Sequence, residues 1–352
     1  MKRYGNLYDL IICDENLELA LYNASIGKLD YDEVKDVFKD KEEKLKELKS
    51  LLVDKTYKCS EYTKFNKNDN GKVREIFKLP FFPDRIIQHA ILQILEPIWK
   101  KTLISHTFQS IKGRGVHSCL VEVRRAVQVD GIQYCLQIDV KKFYPSVDNE
   151  LLKVVVQKKI KCKDTLSLLY SIIDGEVGLP IGNYISQYLG NLFLSELDHY
   201  IKEVLKAKYY YRYCDDLLIL GNDKDELWSI LDYINGYFES INLKVKENYQ
   251  VYKIDNNRGV SCLGYIVFPN KVKIRRNIVD KFKLHIKEME DVGGIDISVL
   301  GSYYGWFKHC DSVALWVKMT KNLRCIVDKQ DYVRLNKLTI KLKKASCARR
   351  IK

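Results

Sequence analysis

The stretch 209–220, YYYRYCDDLLIL, constrains this chain more than any other. Two β-favouring runs flank Cys214-Asp215-Asp216, a pattern that predicts a tight β-hairpin carrying two adjacent carboxylates at its tip. Adjacent carboxylates repel. Unless a cation lies between them they raise their own pKa and work against folding, and a hard divalent metal with oxygen ligands is the usual resolution. Asp also suits turns through local hydrogen bonding alone, so the pair does not define a site by itself. A third carboxylate stands 76 positions upstream, Asp139 in QYCLQIDVKKFYPSVD. Tyr134, Leu136, Ile138 and Val140 alternate there with Cys135, Gln137 and Asp139, so a strand would bury the first set and point Asp139 out of the opposite face.

Three carboxylates on neighbouring strand ends suit two Mg²⁺ ions, one activating a primer 3′-hydroxyl and the other holding a triphosphate and its departing pyrophosphate. That chemistry is phosphoryl transfer. Tyr213-Cys214-Asp215-Asp216 resembles the YxDD box of reverse transcriptases, and Asp139 with the following FYPS resembles their first palm motif. The resemblance runs from about residue 60 to about residue 310 through several ordered motifs. It implies an α+β right-hand polymerase fold with fingers, a palm whose antiparallel sheet lies on helices, and a helical thumb. It also implies that Asp139, Asp215 and Asp216 are catalytic and, with the Val140 backbone carbonyl, hold the two Mg²⁺ ions.

On that frame residues 1–55 form an N-terminal helical extension, 56–133 the fingers, 134–275 the palm (150–176 contributing to the fingers), 276–320 the thumb helices and 321–352 a basic C-terminal tail. In the extension, Leu17, Leu21, Ile26, Leu45, Leu48, Leu51 and Leu52 make sparse apolar stripes, and KDKEEKLKELK has the i,i+4 charges of an exposed helix. It packs on the fingers or faces a partner protein. Asn68-Asp69-Asn70-Gly71 predicts a hairpin turn, and KVREIFKLPFFPDRIIQHAI beyond it resembles the fingers strand and following helix. The resemblance directs Lys72 and Arg74 to the incoming dNTP, Arg with a bidentate fork and Lys with a point charge. A helix starts at Pro83-Asp84, with Ile86, Ile87, Ala90, Ile91, Ile94 and Leu95 as its core face. His89 on that helix reads as a packed or surface histidine. Arg114, between two glycines in SIKGRGVHS, approaches template phosphates on the same resemblance.

Tyr144, five residues after Asp139, matches the aromatic position that packs on the nucleotide sugar and favours dNTPs, while Phe143 is the core candidate. In GEVGLPIGNYISQYLGNLFLSELDHYIKEVL, Leu189, Leu192, Phe193, Leu197 and Ile201 form a helical stripe for the underside of the sheet. Most reverse transcriptases read QGxxxSP where this chain has Ile181-Gly182-Asn183-Tyr184-Ile185-Ser186-Gln187. An aliphatic residue in place of the amide, and Gln in place of Pro, is the pattern of diversity-generating retroelement reverse transcriptases, with Ile181, Gly182 and Gln187 at the dNTP. Losing a polar contact loosens the control that punishes misalignment, which fits that group's errors at template adenines. Further on, Tyr249 stands where a lysine is frequent, with Lys246 nearby. SCLGYIVF resembles the primer-grip hairpin through Leu263, Gly264 and Tyr265, Gly264 allowing close backbone approach. Ile278, Phe282, Ile286 and Met289 form a thumb stripe, Gly293-Gly294 breaks the chain, and a second helix runs from about Ile297 to Val317. Lys273, Arg275, Arg276, Lys281 and Lys283 contact duplex backbone without reading sequence, and Trp306 and Phe307 read as core.

The net charge of +13 is concentrated late: residues 321–352 hold eleven Lys/Arg against Asp328 and Asp331. That is a polyanion-binding tail, a solvated helix or a disordered end. Leu335, Leu338, Ile340 and Leu342 favour a helix that docks on RNA through Lys341, Lys343, Lys344, Arg349 and Arg350. The ten cysteines have no CxxC or Cys/His ligand spacing and read as reduced thiols, and neither a signal peptide nor an apolar run of 18 is present. The expected protein is a cytoplasmic, prokaryotic or phage-encoded RNA-directed DNA polymerase. The expected partners are template RNA, cDNA or primer, dNTPs and a small basic helical accessory variability protein, with no membrane. A retron, group II intron or phage-defence reverse transcriptase is the alternative, and a non-catalytic RNA-binding scaffold is a third class.

Overall fold

β-branched and aromatic runs bounded by turn residues fix the strands of this chain, and its longer 3.6-period stripes fix the helices. A computed structural model describes residues 3–69 and 71–350, with the side chains of 69, 72 and 348–350 outside the description. Ten strands follow one another: β1 Thr63–Asp69, β2 Lys72–Lys78, β3 Thr107–Phe108, β4 Tyr134–Asp139, β5 Tyr209–Tyr213, β6 Asp216–Gly221, β7 Gln250–Lys253, β8 Val260–Cys262, β9 Tyr265–Phe268 and β10 Lys271–Ile274. They build a β1-β2 hairpin, a three-stranded sheet in the order β10-β9-β8, and a five-stranded sheet in the order β3-β5-β6-β4-β7. The last is not wholly antiparallel, because the edge strand β3 runs parallel to β5, Thr107 opposite Arg212.

The chain divides into two compact units. The first is Met1–Lys112 with Gln137–Leu218 and Trp228–Gln250, and the second is Gly113–Leu136 with Ile219–Leu227 and Val251–Lys352. In the first unit, helix Asp14–Ser25 docks on helix Ile86–Lys100. Leu17 and Leu21 supply the apolar contact, and Asn16 donates to the Ala90 carbonyl at 3.1 Å while Asn23 donates to Gln93 at 2.8 Å. Leu48 and Leu52 are buried from helix Lys41–Val53, but Ile26 is 62% exposed and belongs to no stripe. The helix expected from Pro83 is preceded by a wide π turn, Phe81–Arg85, where Asp84 is fully buried and accepts from Tyr57 at 2.7 Å and Ser60 N at 3.0 Å. Helices Asn149–Gln157 and Lys163–Ile173 and the buried stripe Leu189, Leu192, Phe193, Leu197 and Ile201 complete this core.

In the second unit, Phe282 lies between Phe307 and Trp316, ring centroids 5.3 and 5.4 Å away, and Ile286 and Met289 continue the same buried stripe. The single helix expected over 297–317 is two, Ile297–Phe307 and Val313–Met319. The break has a cause: Asp311 leaves the helical path to pair with β10, donating its N–H to the Val272 carbonyl and accepting from Val272 N through Oδ2. The basic C-terminal segment is not a free tail. Its helix Lys329–Arg350 buries Leu335, Thr339 and Leu342, with Trp316 donating to the Thr339 hydroxyl at 3.1 Å, while Ile340 faces out. All ten cysteines are free. Among the described residues no helix is long and apolar enough to cross a membrane.

Candidate active site

Strand β5 ends at Tyr213 and β6 begins at Asp216, so Cys214 and Asp215 alone make the turn. A two-residue turn needs left-handed backbone, and Cys214 supplies it at φ 58°. The cost of that conformation for a non-glycine residue is met from below. Arg212, fully buried, donates through Nη1 to the Cys214 carbonyl at 3.0 Å and to Asn191 Oδ1 at 3.1 Å. Its Nη2 donates to the Asn191 carbonyl at 3.0 Å and to Asp198 Oδ2 at 2.6 Å, and its Nε to Asp198 Oδ1 at 2.7 Å. Asp198 also accepts from Tyr210 at 2.6 Å and from Thr107 at 3.0 Å. Every guanidinium N–H is spent, and burial, which opposes the charge, is outweighed by Asp198, so the Arg212 pKa is raised. Sequence reading passed over this network. Its signal was a lone Arg inside an aromatic β run and an Asp on an otherwise apolar helix face, two charges that only each other could bury.

Asp215 is half-buried in the turn and Asp216 is exposed at the start of β6. Burial, with the Asp139 charge adding to it, holds the Asp215 carboxyl above the usual range. Asp139 ends β4. Gln137, Ile138, Asp139 and Val140 alternate as expected, but at the strand's start it is Cys135 that is fully buried and Tyr134 that is half-open, the Cys135 thiol lying against Tyr252. Val140, fully buried, pairs with Val245, Lys141 N donates to Lys244 O at 2.8 Å and Lys246 N to Asp139 O at 2.9 Å. This pairing delivers Lys246, whose ammonium bonds Asp139 Oδ2. Asp139 Oδ1 is buried and has no hydrogen-bond partner. Tyr249, the position where a lysine is frequent, is 38% exposed instead.

A cavity of about 280 Å³ opens beside the turn, lined by Arg74, Tyr144, Ile181, Gly182, Gln187 and Asp215 among others. Tyr144 places its hydroxyl 2.9 Å from Cys214 Sγ, while Phe143 goes into the core at 2% exposure. Burial raises both the Tyr144 phenol and the Cys214 thiol, the latter pushed up to about 12, so both stay neutral and hydrogen-bonded. The 181–184 loop is tied to β2 by Phe77 N donating to Ile181 O at 2.8 Å. Gly182 has φ 113°, and a Cβ there would meet the Phe77 carbonyl at 2.8 Å. Gln187 accepts from the Ser110 hydroxyl, and Arg74 is exposed on β2 at the cavity's edge. The Lys72 side chain lies outside the described residues.

The remaining candidates lie in the second unit. Leu263 and Gly264 form the β8-β9 turn at φ 46° and 92°, but a Cβ on Gly264 would meet Trp306 at 2.6 Å and Ile278 at 2.8 Å. The missing side chain is therefore used by internal packing. Tyr265 is fully buried, its hydroxyl donating to the Trp306 carbonyl at 3.1 Å. Arg114 is half-buried between Gly113 and Gly115 ahead of helix Val116–Gln128. Lys273, Arg275, Arg276, Lys281, Lys283, Lys341, Lys343 and Lys344 are exposed; the side chains of Arg349 and Arg350 are outside the described residues.

As they stand, no three His, Cys, Asp or Glu side chains among the described residues are gathered closely enough to hold an ion. The donor set nonetheless fits a divalent cation. Two carboxylates interact across the strand ends, one offers a buried oxygen without a donor, and an ammonium already occupies part of the place a cation would take.

The sequence profile described as "Reverse transcriptase (RNA-dependent DNA polymerase)" matches residues 65–267. Protein YkfC of Escherichia coli strain K12 is 26% identical over 243 residues, covering 56% of this chain and 63% of YkfC. The group II intron-encoded protein LtrA of Lactococcus lactis subsp. cremoris is 28% identical over 182 residues, 48% of this chain and 30% of LtrA. The retron Ec73 reverse transcriptase of Escherichia coli is 28% identical over 200 residues, 51% of this chain and 63% of that protein. The chain thus spans less than two thirds of these relatives' own length. Telomerase from Candida albicans, solved in complex with a TWJ fragment of telomeric RNA, superposes with a TM-score of 0.51 at 11% identity, over 83% of this chain and 62% of telomerase. At that identity the likeness speaks to the fold, which is the mixed α+β polymerase fold.

Proposed function

This chain belongs to the reverse transcriptase (RNA-dependent DNA polymerase) family, and on that premise we propose that it is the RNA-directed DNA polymerase of a diversity-generating retroelement, copying a template-repeat RNA into adenine-mutagenised cDNA. The observation that carries polymerisation is Asp215, within charge range of Asp139, lining one cavity together with Arg74 and Tyr144. Asp139, Asp215 and Asp216, with the Val140 carbonyl, would hold two Mg²⁺ ions. When bound, these would acidify a primer 3′-hydroxyl and neutralise the departing pyrophosphate. The chain's own residues do the positioning. Arg74 reaches the triphosphate from the cavity edge, and Tyr144, fixed by Cys214 Sγ, presents its ring to the sugar. Ile181 offers no hydrogen bond where an amide is frequent, which weakens alignment control.

That last feature, with Gln187, supports the diversity-generating subtype. The names of LtrA and the Ec73 protein favour a second reading, a group II intron or retron enzyme. In the first reading the fingers, palm and thumb divide as 56–133, 134–275 and 276–320, the protein is cytoplasmic, and it works with structured RNA and a small basic helical accessory protein. Primer extension on cognate RNA, with sequencing of the product, separates the two. Errors concentrated at adenines are expected, and faithful copying of adenines selects the second reading. Replacing both Asp215 and Asp216 by Asn should abolish synthesis while RNA binding is kept; undiminished cDNA in that variant would remove polymerisation at this site.

A further inference from the structure

Behind the 181–184 loop lies a second cavity of about 150 Å³, whose charged lining residues are Lys28, Lys78, Arg85 and Glu33. Glu33 is committed, to Lys78 Nζ at 3.0 Å and to Phe81 N at 3.4 Å. The two other cations are not. Arg85 Nε is buried with no acceptor, its guanidinium 5.8 Å from the Tyr184 ring, and half-buried Lys28 makes no ion pair among the described residues. Gln88, 1% exposed, spends Oε1 on Tyr184 N at 3.1 Å and Ile185 N at 3.3 Å and leaves Nε2 without an acceptor.

Each unspent group is a donor. Buried donors left unmade weaken a fold, and native proteins leave few of them. His89 stacks on Tyr184 at 3.9 Å beside these groups, and burial first, then Arg85 and Lys28, push its pKa down to about 3. Glu33 supplies one negative charge to this lining; what the cavity lacks is an acceptor for Arg85 Nε and Gln88 Nε2.

We propose that this cavity binds one phosphate group, with Arg85, Lys28 and Gln88 Nε2 donating to its oxygens. Its volume suits a phosphate with part of a sugar, well below the roughly 300 Å³ at which whole-ligand pockets begin. The partly exposed Tyr184 ring offers a stacking face beside it. Gly182 and Asn183 line this cavity and the candidate active site alike, so a phosphate held here braces the loop that walls the dNTP cavity. An RNA phosphodiester and a free nucleotide's phosphate offer the same chemistry.

The test reads Lys28 directly: its acetylation rate by mass spectrometry in the full chain, alone and with saturating adenosine 5′-monophosphate or a short single-stranded RNA. Protection of about fivefold or more is expected in the unaltered protein and in Asp215→Asn, and is lost in Arg85→Gln. Protection by both probes assigns the site to phosphate from either source; protection by RNA alone assigns it to the strand. Lys28 acetylation indifferent to both probes, or protection that survives Arg85→Gln, overturns the site. Should Arg85→Gln not fold, Lys28→Gln on its half-exposed position takes its place, with binding of adenosine 5′-monophosphate then read by calorimetric titration in place of acetylation and about tenfold weaker affinity expected; unchanged affinity overturns the proposal equally.

Discussion

Asp198→Asn is the perturbation that tests how the candidate catalytic turn is held. Asp198 and Arg212 are both wholly enclosed, joined by two charged bonds of 2.6 and 2.7 Å. Asparagine keeps the shape but removes the negative charge and one acceptor, leaving a guanidinium that no water reaches. Breaking one side of such a buried pair costs about 3–5 kcal/mol. At about 2–4 °C per kcal/mol for a unit of this size, the melting temperature should fall by about 6–20 °C. Activity should fall further than stability explains, because Arg212 also anchors the Cys214 carbonyl, and a misplacement near 1 Å costs on the order of a hundredfold in rate. Calorimetry gives the first number and single-nucleotide extension well below the melting point gives the second. The double variant Asp198→Leu/Arg212→Met should recover much of the melting temperature, since apolar replacement of both partners is often neutral, yet not the rate, since nothing then holds the carbonyl. An Asp198→Asn protein that melts within about 2 °C of the unaltered one and extends at its rate would refute this account.

Three further outcomes follow from single features. Gly182→Ala puts a Cβ 2.8 Å from the Phe77 carbonyl at φ 113°, so it should destabilise by about 1–3 kcal/mol and raise KM for dNTP, read by urea titration and steady-state extension. His89, folded pKa about 3 against about 6.5 unfolded, binds its proton only in the unfolded chain between those values. Stability should therefore drop as pH falls below about 6.5, by about 1–2 kcal/mol at pH 5, and be flat above; His89→Phe should remove that part of the acid loss in urea midpoints. Replacing Lys341, Lys343 and Lys344 by Gln leaves buried Leu335 and Leu342 in place, and should cut the salt slope of duplex binding by up to about 2.7 with the melting temperature unchanged. Deleting the whole segment should instead expose Trp316 and lower stability.

Local rules made most of the scaffold legible. The Cys214-Asp215 turn, the Asp139 strand end and the stripe from Leu189 to Ile201 each carry their signal within a few residues, and each stands where its period put it. What stayed hidden is long-range. Arg212 and Asp198 each stand out as a charge in an apolar setting, but no local period pairs the two, and nothing in 297–317 announces that Asp311 will leave its helix for Val272. Tyr265 reads as a motif residue in sequence, yet its hydroxyl is consumed by Trp306, 41 positions away. Net charge likewise says nothing of how its segment is held. Eleven cations in the last 32 residues suggest a polyanion binder, and the leucines among them suggest a helix; the helix forms, and three residues at i, i+4 and i+7 suffice to pin it to its unit.

The electrostatics around Asp139 support the metal-binding role proposed for it. Asp198, fully enclosed, has both oxygens satisfied by Arg212, Tyr210 and Thr107, and fully buried Asp84 has one oxygen doubly bonded and one without a donor. Asp139 has one oxygen on Lys246 and the other buried with no donor at all. Its neighbour Asp215 is held in a place where burial and the Asp139 charge both resist ionisation. One cation more than Lys246 supplies would satisfy the orphan oxygen and relieve Asp215 together. Two carboxylates within charge range of each other, one under-satisfied and one reluctant to ionise, weaken a fold that could have placed Asn at either position, and this supports the proposal that a positive charge arrives there.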